Sequence, residues 1–93
     1  MKTIWKTPLK VDDGFQDVKV RRGAKPIHVG MQGSIPTVWW QLSDDAPLHT
    51  EKLIVIGTGH EVPSCTEYIG SGQFGIFVWH IYRMENNPQG EEE

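Results

Sequence analysis

Short apolar or alternating segments, separated by turn residues, run through most of the chain. They are rich in Ile, Val, Trp, Tyr and Thr, which favour strands. No window keeps the 3.6-residue period of a helix over about 10–12 residues. The pattern predicts about six or seven strands, at residues 4–9, 15–22, 27–32, 37–42, 53–57, 67–69 and 74–83. We therefore expect an all-β domain built as one strongly bent antiparallel sheet or a small barrel.

Alternation within the segments predicts which side chains are buried. Val38, Trp40 and Leu42 share one face of a strand, so Trp40 is expected in the core. Trp39 lies on the opposite face, where it is either an exposed platform or part of a second buried or dimer surface. The last strand is apolar on both faces, which predicts a central position, whereas Pro8 marks an edge strand or its end.

The turn signals predict the connections. Asp13-Gly14 is typical of a hairpin, and Gln32-Gly33-Ser34 and Gly70-Ser71-Gly72 are read as further turns. After residue 84 the sequence lacks apolar side chains, so residues 1–84 are expected to form the domain and residues 85–93 a disordered acidic tail. A domain of this size has a thin core and unpaired sheet edges, which favours a homo-oligomer.

Charge is distributed unevenly. Residues 1–25 contain seven Lys or Arg and three Asp, a net of +4, and residues 26–93 contain two basic and nine acidic residues, a net of −7. Either these are ordinary solvated strands, or the first segment forms a basic surface for an anion, with Arg21 and Arg22 at its centre. The net charge of −3 argues against general nucleic-acid binding.

Further sequence features argue against several classes of function. A single cysteine, Cys65, excludes an internal disulfide and fits a reducing cytoplasm. No apolar run approaches the ~20 residues that cross a bilayer, so no membrane partner is expected. The four histidines and Cys65 lack the close spacing of metal ligands. No activated nucleophile is evident, so neither catalysis nor a cofactor is predicted.

The segment Gly57-Thr58-Gly59-His60 follows a strand, as phosphate-binding loops do. It lacks the Lys and the helix of a Walker loop, so it is either a tight strand exit or a ligand loop. We expect it to converge with the polar face of residues 28–32 and with the paired arginines, to recognise an anion. The predicted ligand-binding residues are Arg21, Arg22, His28, Gln32, Trp39, Thr58, Gly59 and His60.

Six short strings resemble a family of short, uncharacterised proteins carried by phages and prophages. They are Ile4-Trp5-Lys6, Gly23-Ala24-Lys25, His28-Val29-Gly30-Met31-Gln32, Gly57-Thr58-Gly59-His60, Tyr68-Ile69-Gly70 and Phe77-Val78-Trp79-His80. The resemblance implies a phage accessory protein in the host bacterial cytoplasm. The function expected from it is non-enzymatic inhibition of anti-phage defence by sequestering a small nucleotide-like signal. The alternative is an inhibitor that binds a host defence protein directly, through Trp39 and the acidic part of the chain.

Overall fold

The computed structural model describes residues 1–85 of the chain, and these form seven antiparallel strands and no helix. The all-β prediction and the number of strands are confirmed. The strands are β1 (Lys2–Pro8), β2 (Gln16–Arg21), β3 (Lys25–Gln32), β4 (Ile35–Ser43), β5 (Leu48–Gly57), β6 (Thr66–Phe74) and β7 (Phe77–Met84).

The strands are divided between two sheets, with the orders β1-β4-β3 and β2-β5-β7-β6. The sheets are not closed into a barrel. The inner faces of the two sheets share one core, because side chains from both are buried in the same cluster. The largest fully buried side chains are Trp40 and Val38 from the first sheet and Leu53, Ile81 and Val20 from the second.

Alternation correctly predicts the faces of β4. Trp40 is fully buried, and its indole Nε1 donates a hydrogen bond to Thr7 Oγ1 at 3.0 Å. Its neighbour Trp39 faces outward and is half-buried. The predicted positions of β7 as a central strand and of β1 as an edge strand are also confirmed.

Two glycines in β6 allow it to lie directly against β3. A Cβ on Gly70 would lie 2.7 Å from Val29 Cβ, and a Cβ on Gly72 would lie 3.3 Å from the Gly30 carbonyl carbon. A side chain at position 70 would force β3 to shift, and one at position 72 would be unusually tight, so both positions favour glycine. The interpretation of Gly70-Ser71-Gly72 as a turn is therefore wrong, since β6 continues through it to a turn at Gly75.

The Asp13-Gly14 turn does not close a hairpin. It leads from β1 to β2, but β1 pairs with β4 and β2 pairs with β5 in the other sheet. By contrast, the turn at Gly33 joins β3 to β4 as a hairpin, with Gln32 opposite Ile35. Glu85 donates its backbone N–H to the Cys65 carbonyl oxygen, and the rest of the predicted tail, residues 86–93, lies outside the described residues.

No helix in residues 1–85 is long and apolar enough to cross a membrane.

Candidate functional site

The outer face of the β1-β4-β3 sheet is basic and carries a central tryptophan. Strands β1, β3 and β4 contain three lysines and no Asp or Glu. Register places all three lysines on the outer side. We call this surface the basic face, and its members are Lys2, Ile4, Lys6, Lys25, His28, Gln32, Trp39 and Gln41. This surface is therefore positively charged, although the whole chain has a net charge of −3.

Trp39 occupies the middle of the basic face. Lys6 lies opposite it on β1, and His28 lies opposite it on β3. The His28 and Trp39 ring centroids are 5.2 Å apart, with the rings inclined at 49°. A cation, an indole and an imidazole thus form one row across three strands.

Gly30 creates the space that the His28 ring occupies. A Cβ on Gly30 would lie only 2.9 Å from His28 Nε2, so any side chain there would displace the imidazole. The missing side chain of Gly30 therefore sets the position of the His28 ring beside Trp39.

Lys6 and Gln32 are joined across the same surface. Lys6 Nζ donates a hydrogen bond of 2.7 Å to Gln32 Oε1, and both side chains are exposed. Three of the predicted site residues, His28, Gln32 and Trp39, are therefore brought to one surface. The sequence reasoning overlooked Lys6, because nothing along the chain shows that β1 pairs with β4.

Arg21 and Arg22 lie apart from that row. The Arg21 guanidinium lies 5.2 Å from the centroid of the Trp5 ring, and its Nη1 donates to the Ala46 carbonyl oxygen at 3.1 Å. Among residues 1–85 its buried Nε has no hydrogen-bond partner. Arg22 has an exposed side chain, and its backbone N–H is bonded to Pro47. Arg21 therefore holds the connection between β4 and β5 against the first sheet.

The same connection holds the N-terminus. The Met1 ammonium nitrogen lies 3.4 Å from Asp44 Oδ1. A hydrogen bond from Ser43 holds the pKa of Asp45 below its usual value, and the positive N-terminus lowers that pKa further. The carboxylates of Asp44 and Asp45 therefore both form contacts that stabilise the β4–β5 connection.

The predicted loop of Gly57, Thr58, Gly59 and His60 is a tight strand exit. The His60 backbone N–H donates to the Gly57 carbonyl oxygen at 3.1 Å, and Gly59 has a φ of +93°. Thr58 Oγ1 contacts His80 and Val78 of β7, whereas His28 contacts Trp39 of β4. The two segments that were expected to converge therefore have different neighbours.

A chain of hydroxyl and imidazole groups lies on the outer face of the second sheet. Tyr68 Oη is 2.6 Å from Ser71 Oγ, Ser71 Oγ is 2.7 Å from His80 Nδ1, and Thr58 Oγ1 is 2.9 Å from His80 Nε2. Sequence reasoning missed this cluster. Ser71 and His80 meet only through the β6–β7 register, and the turn of that hairpin had been placed at Ser71 itself.

Charged groups also cluster at one end of the core face of β5 and β7. His49 Nε2 lies 3.0 Å from Glu51 Oε2, and Arg83 Nε donates to Glu67 Oε1 at 3.1 Å. Arg83 Nη1 also lies 4.0 Å from Glu51 Oε1, so Arg83 is the cationic partner of both carboxylates. Within residues 1–85 no three His, Cys, Asp or Glu side chains lie close enough together to hold a metal ion.

The tip of the β6–β7 hairpin is apolar and exposed. The exposed fractions are 47% for Phe74, 89% for Ile76 and 58% for Phe77. Phe77 stacks on Trp79 with centroids 6.3 Å apart. The exposure of Phe77 shows that the apolar pattern of β7 continues beyond the region that the sheets cover.

Comparison with known proteins gives a family but no function. A family model described as Domain of unknown function (DUF7352) matches residues 1–91. The search of curated proteins finds no match, and neither does the search of solved structures. The chain therefore belongs to the DUF7352 family.

Proposed function

We propose that this DUF7352 domain is a non-enzymatic binding module that captures a small anionic, nucleotide-like ligand on its basic face. In the phage setting that the sequence resemblance implies, it inhibits bacterial anti-phage defence by sequestering a nucleotide-like signal in the host cytoplasm. The observation that carries the proposal is the row of Lys6, Trp39 and His28 on a sheet without a carboxylate.

The spacing of this row suits one nucleotide. Adjacent strands are about 4.7–4.9 Å apart, so Lys6 and His28 each flank the indole at a single strand spacing. A base stacked on Trp39 would place its phosphate within reach of a neighbouring cation. Stacking on an aromatic side chain contributes about 1–3 kcal/mol per base, and a hydrogen bond to a charged group adds about 1.5–3 kcal/mol.

The lysines supply the preference for an anion. Lys2, Lys6 and Lys25 are exposed on the face, and Lys6 is already held by Gln32. A ligand phosphate offers Lys6 a charged acceptor in place of the neutral amide, and charge-assisted hydrogen bonds are roughly twice as strong as neutral ones. Binding is therefore expected to open the Lys6–Gln32 bond.

Isothermal titration calorimetry with AMP, adenosine and inorganic phosphate tests the proposal. AMP is expected to bind more tightly than either of its parts, because only AMP engages the indole and the lysines together. Trp39→Ala should weaken AMP binding roughly 5- to 150-fold, the equivalent of one stacked base. Lys6→Met should weaken it while Lys19→Met, which removes the same charge from β2, leaves it unchanged.

Equal binding of AMP and inorganic phosphate would contradict the stacking role of Trp39. Equal loss in Lys6→Met and Lys19→Met would show that net charge alone draws the anion. If AMP does not bind at all, and no small molecule leaves the purified protein on heating, the ligand-capture function is wrong.

A second candidate function is supported by the exposed hairpin tip. Phe74, Ile76 and Phe77 form an apolar group that an inhibitor could insert into a host defence protein. In an assay of phage growth on a bacterium that carries the defence system, Ile76→Asp would then abolish inhibition of the defence, whereas Trp39→Ala would retain it. Loss of inhibition in Trp39→Ala together with its retention in Ile76→Asp would exclude the hairpin tip as the contact surface.

A further inference from the structure

The outer face of the second sheet holds a second polar site, formed by Tyr68, Ser71, His80 and Thr58. Ser71 and His80 are direct cross-strand partners in the β6–β7 ladder. Their side chains are half-buried, whereas those of Tyr68 and Thr58 are exposed. The site is thus open to a small molecule, and it lies on a different sheet from the basic face.

Hydrogen-bond directions in this site follow from the number of protons available. Thr58 Oγ1 can donate to the Val78 carbonyl oxygen at 3.4 Å only if it accepts from His80 Nε2, so the tautomer of His80 that is protonated at Nε2 satisfies both contacts. A neutral imidazole protonated at Nε2 is an acceptor at Nδ1. Ser71 therefore donates to Nδ1, and its oxygen in turn accepts from the Tyr68 hydroxyl.

This arrangement is that of an activated nucleophile. The signature is a nucleophile within about 2.6–3.2 Å of a base that a third group orients. Ser71 lies 2.7 Å from the basic nitrogen of His80, and Thr58 orients the ring from its other side. Tyr68 Oη lies 2.6 Å from Ser71 Oγ and supplies a second hydroxyl group beside the reacting oxygen.

We propose that Ser71 is a nucleophile that accepts the acyl group of a small activated ester, with His80 as general base. Ser71 Oγ forms a bond to the acyl carbon while its proton passes to His80 Nδ1. The ester C–O bond breaks, and its electron pair leaves with the alcohol or phenol oxygen. His80 then gives up the proton to that leaving group or to water, and Ser71 remains as an ester. This proposal does not depend on the function of the basic face, and it describes a single acyl transfer onto Ser71 rather than catalytic turnover.

The test uses p-nitrophenyl acetate and the full chain in a Cys65→Ala background, which removes the thiol as a competing nucleophile. Intact mass spectrometry counts the acetyl groups, and tandem mass spectrometry locates them. General-base assistance contributes roughly 10²–10⁴-fold. We therefore expect Ser71 to be acetylated at least about 10²-fold faster than Ser34, which lies in the exposed β3–β4 turn.

Two variants separate reactivity from structure, with circular dichroism used to verify that each is folded. His80→Gln should slow acetylation of Ser71 by about 10²-fold or more, and Thr58→Val should slow it less, because it removes only the group that orients the ring. Acetylation at Ser34 should not change in either variant. The proposal is overturned if Ser71 reacts no faster than Ser34, or if folded His80→Gln acetylates Ser71 at the original rate.

Discussion

Two glycine substitutions, one on each side of the contact between β3 and β6, should differ in their effect on the free energy of unfolding. In Gly70→Ala the new Cβ would lie 2.5 Å from Val29 Cγ2 and 2.7 Å from Val29 Cβ. Val29 is a core residue, and its Cβ is fixed to the backbone of β3. In Gly30→Ala the three atoms nearest to the new Cβ all belong to the ring of His28, the far end of an exposed side chain.

The expected magnitudes follow from these neighbours. Overpacking a core costs about 1–3 kcal/mol, and replacing Gly by Ala returns about 0.4–1 kcal/mol through the unfolded state. Gly70→Ala should therefore lose about 1–2 kcal/mol of unfolding free energy. Gly30→Ala should stay within about 1 kcal/mol of the original chain, because the imidazole can rotate away. That rotation separates His28 from Trp39, so Gly30→Ala should weaken AMP binding.

Urea denaturation followed by tryptophan fluorescence measures the free energy of unfolding of both variants. With an m-value of about 1 kcal/mol/M, typical of a small domain, the midpoint of Gly70→Ala should fall by about 1–2 M. If Gly30→Ala is the less stable of the two variants, the close approach of β6 to β3 is wrong. If Gly30→Ala binds AMP as the original chain does, the position of the His28 ring is not part of the binding site.

Three further predictions concern the core, the β4–β5 connection and self-association. Thr7→Val should cost about 1–3 kcal/mol in thermal unfolding, because the indole N–H of buried Trp40 loses its acceptor; an unchanged melting temperature would contradict that bond. Ser43→Ala should raise the pKa of Asp45, measured by NMR titration, and because the folded-state pKa is the depressed one, the stability lost in this variant should vanish as the pH falls below it. We also predict a homo-oligomer that Ile76→Asp converts to a monomer in light scattering; a mass near 10.6 kDa for the original chain would refute this.

Local patterns in the sequence predict the strands better than their partners. Alternation correctly separates Trp39 from Trp40, and the two apolar faces of the last strand correctly predict its central position. Each of these predictions depends only on the two-residue period of a strand. The division into two sheets depends instead on long-range pairs such as β1 with β4, which no turn residue specifies.

Glycine shows why the candidate sites were only partly predicted. Glycine commonly marks a turn, but Gly70 and Gly72 serve the close approach of two strands, and Gly30 makes room for an imidazole. The misplaced turn hid the register that brings Ser71 to His80. His28, Gln32 and Trp39 were predicted as ligand-binding residues, whereas the predicted basic surface was centred on Arg21 and Arg22. Lys6 belongs to the basic face only because β1 pairs with β4.

Amide chemical-shift mapping during an AMP titration tests the ligand-binding account most directly. Proton–nitrogen NMR spectra of the full chain would be recorded with AMP and, as the control, with adenosine. The account predicts that AMP shifts concentrate in residues 4–6, 28–32 and 37–41 and include the Trp39 indole N–H. Shifts confined to residues 57–60 and to Arg21 and Arg22, or no shifts at millimolar AMP, would contradict it.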